Sequence, residues 1–245
     1  RPDSAEVTEL QSLLDALPKV IGARAIVFVV RGNGGGDSSI GDRIFDAATG
    51  GLDFDQSNLD ALPRYFAQWR VSDVMLETVR GWVARNEVRD GIDAPSTREA
   101  RAFLAKAEAA RAAGADWVEQ DAGRTLTRES VAARGARLRR FEGPIYVLTD
   151  ESCASACLDF VDLVRLVPGS VHLGRTTSSD RVYIDMGRTK LPSGNHLWLP
   201  LKVWRNRWRG DAEPWVPDIP LNVNFDDDAA VRVAVMEAIG LGREE

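Results

Sequence analysis

Between residues 5 and 17, Val7, Leu10, Leu13, Leu14 and Leu17 recur at helical intervals, predicting a helix that Pro18 closes. AIVFVV (25–30) follows, a continuous apolar run with the length of a strand buried on both faces. RGNGGGDSS then holds too much glycine for a regular element. A helical face resumes from Ser38 or Ser39, with Ile40, Ile44, Phe45 and Ala48 on one side. Strand, glycine loop and helix in that order predict an α/β layout.

Beyond a polar stretch at 50–62, RYFAQWRVS (64–72) reads as a strand, and Ser72 as the cap of a helix bearing Val74, Met75, Val79, Trp82 and Val83. Ser96-Thr97-Arg98-Glu99 has the form of a capping box opening an alanine-rich helix. Residues 63–140, from 72 onward mainly helical in pattern, therefore read as an insertion with a solvated charged face. GPIYVLTDESCASACLDFVDLVRL repeats the earlier logic: a strand at 145–149, a tight polar turn, then a helix. Short strands are expected near 171–174, 181–186 and 196–203, and a last helix near 228–239, with three aspartates at its start and Gly240 after its end. The expectation is one domain over 1–245, with an α/β core at 19–62 and 141–245.

Net charge is −6 and pI about 5.2, so no general basic field exists to hold nucleic acid. No apolar run approaches the roughly 20 residues of a membrane-spanning helix. The chain opens on Arg1 and Pro2 rather than Met, as expected of a mature form or a piece of a longer protein.

Two turns carry candidate chemistry. GNGGGD places Gly32 and Gly34 at the first two positions of a dinucleotide fingerprint, but Asp37 stands where the third glycine belongs. No lysine follows, which excludes a Walker loop. What remains is a structural turn, or a nest of backbone amides suited to an anion. The second turn, ESCASAC (151–157), sets Ser155 at a strand-to-helix junction between the chain's two cysteines. There the hydroxyl can simply cap the helix, or it can attack a carbonyl while the Ala156 amide holds the oxyanion.

IVFVVRGNGGGDSS resembles the strand and loop of the tail-specific, or C-terminal processing, serine peptidases and their tricorn-like relatives. VLTDESCASACLDFVD resembles their nucleophile segment, whose middle serine falls on Ser155. VHLGRTTSSD, LPSGNHLWLP and WVPDIPL resemble three later motifs, in the family's order. The resemblance implies a Clp protease/crotonase-like α/β core with a helical insertion. It also implies Ser155 as nucleophile and oxyanion donors at Gly34 or Gly35 and Ala156. No metal and no organic cofactor is implied. The implied substrate is a polypeptide and the implied location periplasmic or secreted; self-association stays open.

The base is the departure. Counting 25 residues from Ser155, where the tail-specific branch has its lysine, reaches Asp180. The tricorn-like branch uses a histidine on a strand before the glycine loop, which here would fall upstream of Arg1, and an acidic partner matching Asp211 or Glu213. His172 and His196 sit in short apolar strands and read as structural; C-x3-C and their separation do not suit zinc. Cys153 and Cys157 could pack as small neighbours, form a disulfide, or act as a redox pair, although i, i+4 across a regular helix is poor disulfide geometry. The leading expectation is a serine peptidase; the alternative is an inactive pseudo-peptidase that binds a peptide or apolar ligand, with Trp198, Trp204, Trp208 and Trp215 available to line a groove.

Overall fold

A computed structural model describes residues 4–241, so Arg1 and Pro2 lie outside the described residues, as does the side chain of Val7. Helix α1 (Ser4–Ala16) runs into a 3-10 turn at Leu17–Gly22, where Pro18 withholds the amide that an α-helix would need. Strand β1 (Ile26–Val29) leads through the glycine loop to α2 (Ser38–Thr49), capped by the Asp37 carboxylate accepting from the Ser39 amide. Then come β2 (Leu52–Asp53), β3 (Arg64–Arg70), α3 (Asp73–Arg89), α4 (Pro95–Ala112), β4 (Trp117–Arg124), α5 (Arg128–Ala132) and β5 (Arg137–Leu138). The chain continues with β6 (Ile145–Thr149), α6 (Ala156–Leu166), β7 (Val171–Gly174), β8 (Tyr183–Lys190), β9 (His196–Arg205), β10 (Ile219–Pro220) and α7 (Asp228–Ala238).

The chain divides into two compact units. The first comprises Arg1–Ser57, Leu126–Asp180 and Asp211–Glu245. Its parallel sheet has the order β1-β6-β7-β10, with Ile26 opposite Ile145 and Tyr146 opposite Val171. One apolar cluster packs Phe28, Phe45, Ile145, Val147, Leu158 and Val161 between β1, β6, α2 and α6. A second packs Leu148 and Leu173 against Val231 and Val235 of α7. The double-sided burial expected of β1 holds in part: Ile26 and Phe28 pack in the first cluster and Val27 against the second, but Val29 is 56% exposed.

The second unit comprises Asn58–Thr125 and Arg181–Gly210. Its antiparallel sheet, β4-β3-β9-β8, joins residues that the sequence reading assigned partly to the insertion and partly to the core. The reason is pairing: Phe66 to Trp69 of β3 register against Arg205 to Lys202 of β9. Trp69, Met75, Val79 and Ala107 form its core with α3 and α4. The strand expected at 64–72 forms as β3, while the stretch from 72 onward, expected to be mainly helical, contributes one of the four strands, β4. Ser72 caps α3 through the Met75 amide, as its position suggests. The capping box at Ser96 does not form. Pro95 occupies the first turn, where its missing N–H costs nothing, and the Ser96 hydroxyl donates to Asp90 instead.

Candidate active site

In the first unit, the turn between β6 and α6 presents Ser155. The residue precedes the helix, is exposed, and makes no hydrogen bond to the helix amides through its side chain. Its backbone stands at φ 54°, ψ −123°, outside the basins that L-residues ordinarily occupy. Such a conformation costs on the order of 1–3 kcal/mol and persists only where the surroundings enforce it. The helix-capping role open to Ser155 from sequence is therefore not the one its side chain plays. Among the described residues, nothing hydrogen-bonds its Oγ.

The glycine loop closes on this turn. A Cβ placed on Gly35 would stand 2.7 Å from the Ser155 Cβ, 2.8 Å from the Ala154 carbonyl oxygen and 3.1 Å from the Ala156 nitrogen. Only glycine fits there, and its φ of 105° requires glycine independently. The two turns are also stitched by hydrogen bonds: the Gly32 amide donates to Asp150 Oδ2 (2.9 Å) and the Ala154 amide to the Asn33 carbonyl (3.3 Å). Asp150 Oδ1 accepts from the Ser152 amide (3.0 Å). Asn33 and Asp150 join the two turns, and sequence reasoning missed them because the contacts connect residues more than a hundred positions apart.

The expected amide donors fare differently. The Gly35 amide is engaged, donating to Asn33 Oδ1 at 2.9 Å. The Gly34, Gly36 and Ala156 amides have no acceptor among the described residues. Gly36 and Ala156 also line a pocket of about 470 Å³, with Phe28, Val30, Ile40 and Phe160 among its other walls. At the start of α6, the unpaired Ala156 amide and the helix dipole favour negative charge.

Cys153 and Cys157 form a disulfide, and both residues are fully buried. The geometric objection from sequence lapses because α6 begins at Ala156, so Cys153 lies before the helix and the pair does not span a regular turn.

The remaining candidates lie elsewhere. His172 is fully buried in β7, its Nε2 2.7 Å from Thr149 Oγ1. Thr149 Oγ1 also lies 2.7 Å from the Arg175 carbonyl oxygen, to which it can donate. Burial, with the positive charge of Arg165, pushes the imidazole down to about 4, against the Val216 backbone and Asp218, which favour the charged form. His196 is exposed on β9 of the second unit. Asp218 of the PDI segment accepts from Arg165 (2.5 and 3.1 Å) and from the His172 amide (2.8 Å). It thereby ties α6, β7 and the β10 segment together. Burial raises its carboxyl, but the His172 amide and the Arg165 guanidinium outweigh that and hold it below the usual range. Asp211 and Glu213 are exposed on the segment before β10 and make no bond to Ser155. Among the described residues there is no group of three side chains able to hold a metal ion, and no helix is long and apolar enough to cross a membrane.

The chain has a mixed α/β fold, with a serine at a forced strand-to-helix turn. Its fold is similar to that of mature CPAF complexed with lactacystin, at a TM-score of 0.55 and 12% identity over 94% of this chain and 47% of that one. Mature CPAF in another crystal structure gives 0.53 and 12%, over 87% of this chain and 42% of that one. The photosystem II D1 C-terminal processing protease is similar at 0.41 and 14%, over 93% of this chain and 43% of its own, a score too low to argue from. At these identities the likeness is one of fold. The chain spans about half the length of the solved proteins it resembles. No protein-family profile matches it, and no curated protein is similar to it in sequence.

Proposed function

We propose that this chain forms the Clp protease/crotonase-like core of a serine peptidase, with Ser155 as the nucleophile. One observation carries the reading: Ser155 is held at φ 54° at the uncapped start of α6, with the glycine loop pressed against it. Strained strand-to-helix turns expose a nucleophile for attack while the next amide faces the developing charge. The Ala156 amide and that of Gly34 or Gly36 are the oxyanion donors in this reading. Gly35 contributes its close approach, its own amide being taken by Asn33.

The substrate is a polypeptide, and the pocket between β1, α2 and α6 receives an apolar side chain beside the scissile carbonyl. No described side chain takes the Ser155 proton. The family resemblance directs that role to a histidine on a strand ahead of AIVFVV, with Asp211 or Glu213 as its acidic partner. A disulfide beside the nucleophile fits a periplasmic or secreted location. The test is a fluorophosphonate probe on the full-length protein, read by peptide mapping. Labelling at Ser155 that is lost in Ser155→Ala is expected; an unlabelled Ser155 would overturn the catalytic assignment and leave a binding role.

A further inference from the structure

We infer that the Cys153–Cys157 disulfide is a positioning element for Ser155, and that its reductive opening switches the site off; this rests on the reading of Ser155 as nucleophile. The bond brackets the serine symmetrically, closing a ring around Ala154, Ser155 and Ala156. Inside that ring lies a backbone conformation that needs enforcement, φ 54°, ψ −123° at a residue that is not glycine.

The other restraints on the turn are non-covalent: the close approach of Gly35 and a set of hydrogen bonds. Immediately before Ser155, the Cys153 amide donates to Asp150 at 3.2 Å and the Ala154 amide to Asn33 at 3.3 Å, both at the long end for such bonds. The following helix has no side-chain cap; its first turn is held by the Cys157 amide on the Ala154 carbonyl (3.1 Å) and the Leu158 amide on the Ser155 carbonyl (2.8 Å). The disulfide supplies a covalent restraint at that point. It also anchors the turn to the scaffold, since both half-cystines are fully buried among Phe28, Phe160 and Val161. Cys157 Sγ lies 3.8 Å from the carbonyl oxygen of Val30, at the root of the glycine loop. Two small apolar side chains would fill the same space, but would leave the Cα atoms of 153 and 157, now 5.3 Å apart, free to separate.

The switching step is ordinary exchange. A dithiol such as dithiothreitol attacks one sulfur and the resulting mixed disulfide closes to the oxidised reagent. Two electrons and two protons pass to Cys153 and Cys157, which become thiols.

The experiment uses full-length protein, oxidised and dithiothreitol-reduced, with the thiol state read by mass. Cys153→Ala/Cys157→Ala serves as a variant without the bond, its fold checked by circular dichroism. Two readouts run in parallel: the rate and affinity constants for fluorophosphonate labelling of Ser155, and hydrogen exchange of amides 152–158. The expected result is labelling at least roughly tenfold slower on reduction, with probe affinity within about twofold and faster exchange confined to the turn. The double variant should behave like reduced protein and ignore dithiothreitol. Unchanged labelling with both cysteines confirmed as thiols overturns the positioning role and leaves the peptidase reading standing. If the oxidised protein is not labelled at all, the nucleophile reading falls. Exchange then decides positioning alone: faster exchange on reduction supports it, unchanged protection overturns it.

Discussion

Gly35 and Ser155 share a space too small for two side chains, the Gly35 α-carbon being so close that an added methyl would stand 2.7 Å from the Ser155 Cβ. Gly35→Ala must therefore move the glycine loop or the serine turn, and must also place an L-residue at φ 105°. We expect about 2 kcal/mol or more lost in urea unfolding, and at least roughly tenfold slower labelling of Ser155. Gly34→Ala meets no atom within 4 Å and has no positive φ, so it should be nearly neutral for stability.

Two truncations of Ser155 separate chemistry from strain. Both remove the hydroxyl, so neither variant should be labelled. Ser155→Gly alone relieves the backbone at φ 54°, and should be more stable than Ser155→Ala by about 1 kcal/mol in denaturant titration. Equal stabilities would mean that the turn bears no strain at this residue.

The buried His172 gives stability a pH dependence of known sign. Its folded value is pushed down from 6.5 to about 4, so between those limits the unfolded chain binds a proton that the folded chain refuses. The His172 contribution is level above pH 6.5 and falls as pH drops toward 4, by about 3 kcal/mol in total. Asp218, held below its ordinary 3.8, loses its contribution only at still lower pH, as the carboxylate is protonated. Unfolding free energies measured from pH 7.5 to 4 should show the slope, and His172→Leu should flatten it while losing the Thr149 hydrogen bond.

The Arg165–Asp218 pair joins α6 to the PDI segment. The Arg165 side chain is 10% exposed and that of Asp218 41%, so solvent screens part of the attraction. Asp218→Asn should cost about 1–3 kcal/mol in thermal or chemical unfolding. Arg165→Met should cost as much or more, because the Ser170 carbonyl also loses a donor.

The strand–turn–helix units at 25–49 and 145–166 are legible in the sequence because apolar runs of strand length meet unmistakable turn chemistry there. The second unit is not. β4, WVEQDAGR, carries no alternating pattern, and its pairing with β3 crosses nearly fifty residues of helix-forming sequence. At Ser96 a local capping signal loses to the adjacent Pro95, which already starts the helix. Ser155 and its glycine partner can be picked out from motif order. The Asp150 staple cannot, since it joins residues more than a hundred positions apart, and the disulfide depends on α6 beginning at Ala156; the engagement of the Gly35 amide depends on the fold of the glycine loop around Asn33.

The uncapped start of α6 has one more consequence. A helix whose first amide, that of Ala156, lacks a partner is finished by whatever negative charge settles there, so occupancy and folding become coupled quantities. A probe that leaves a phosphonyl oxygen against Ala156 should raise the melting temperature beyond what an uncharged peptide of equal size achieves. The protein's melting curve would then serve as a gauge of whether its helix end is filled.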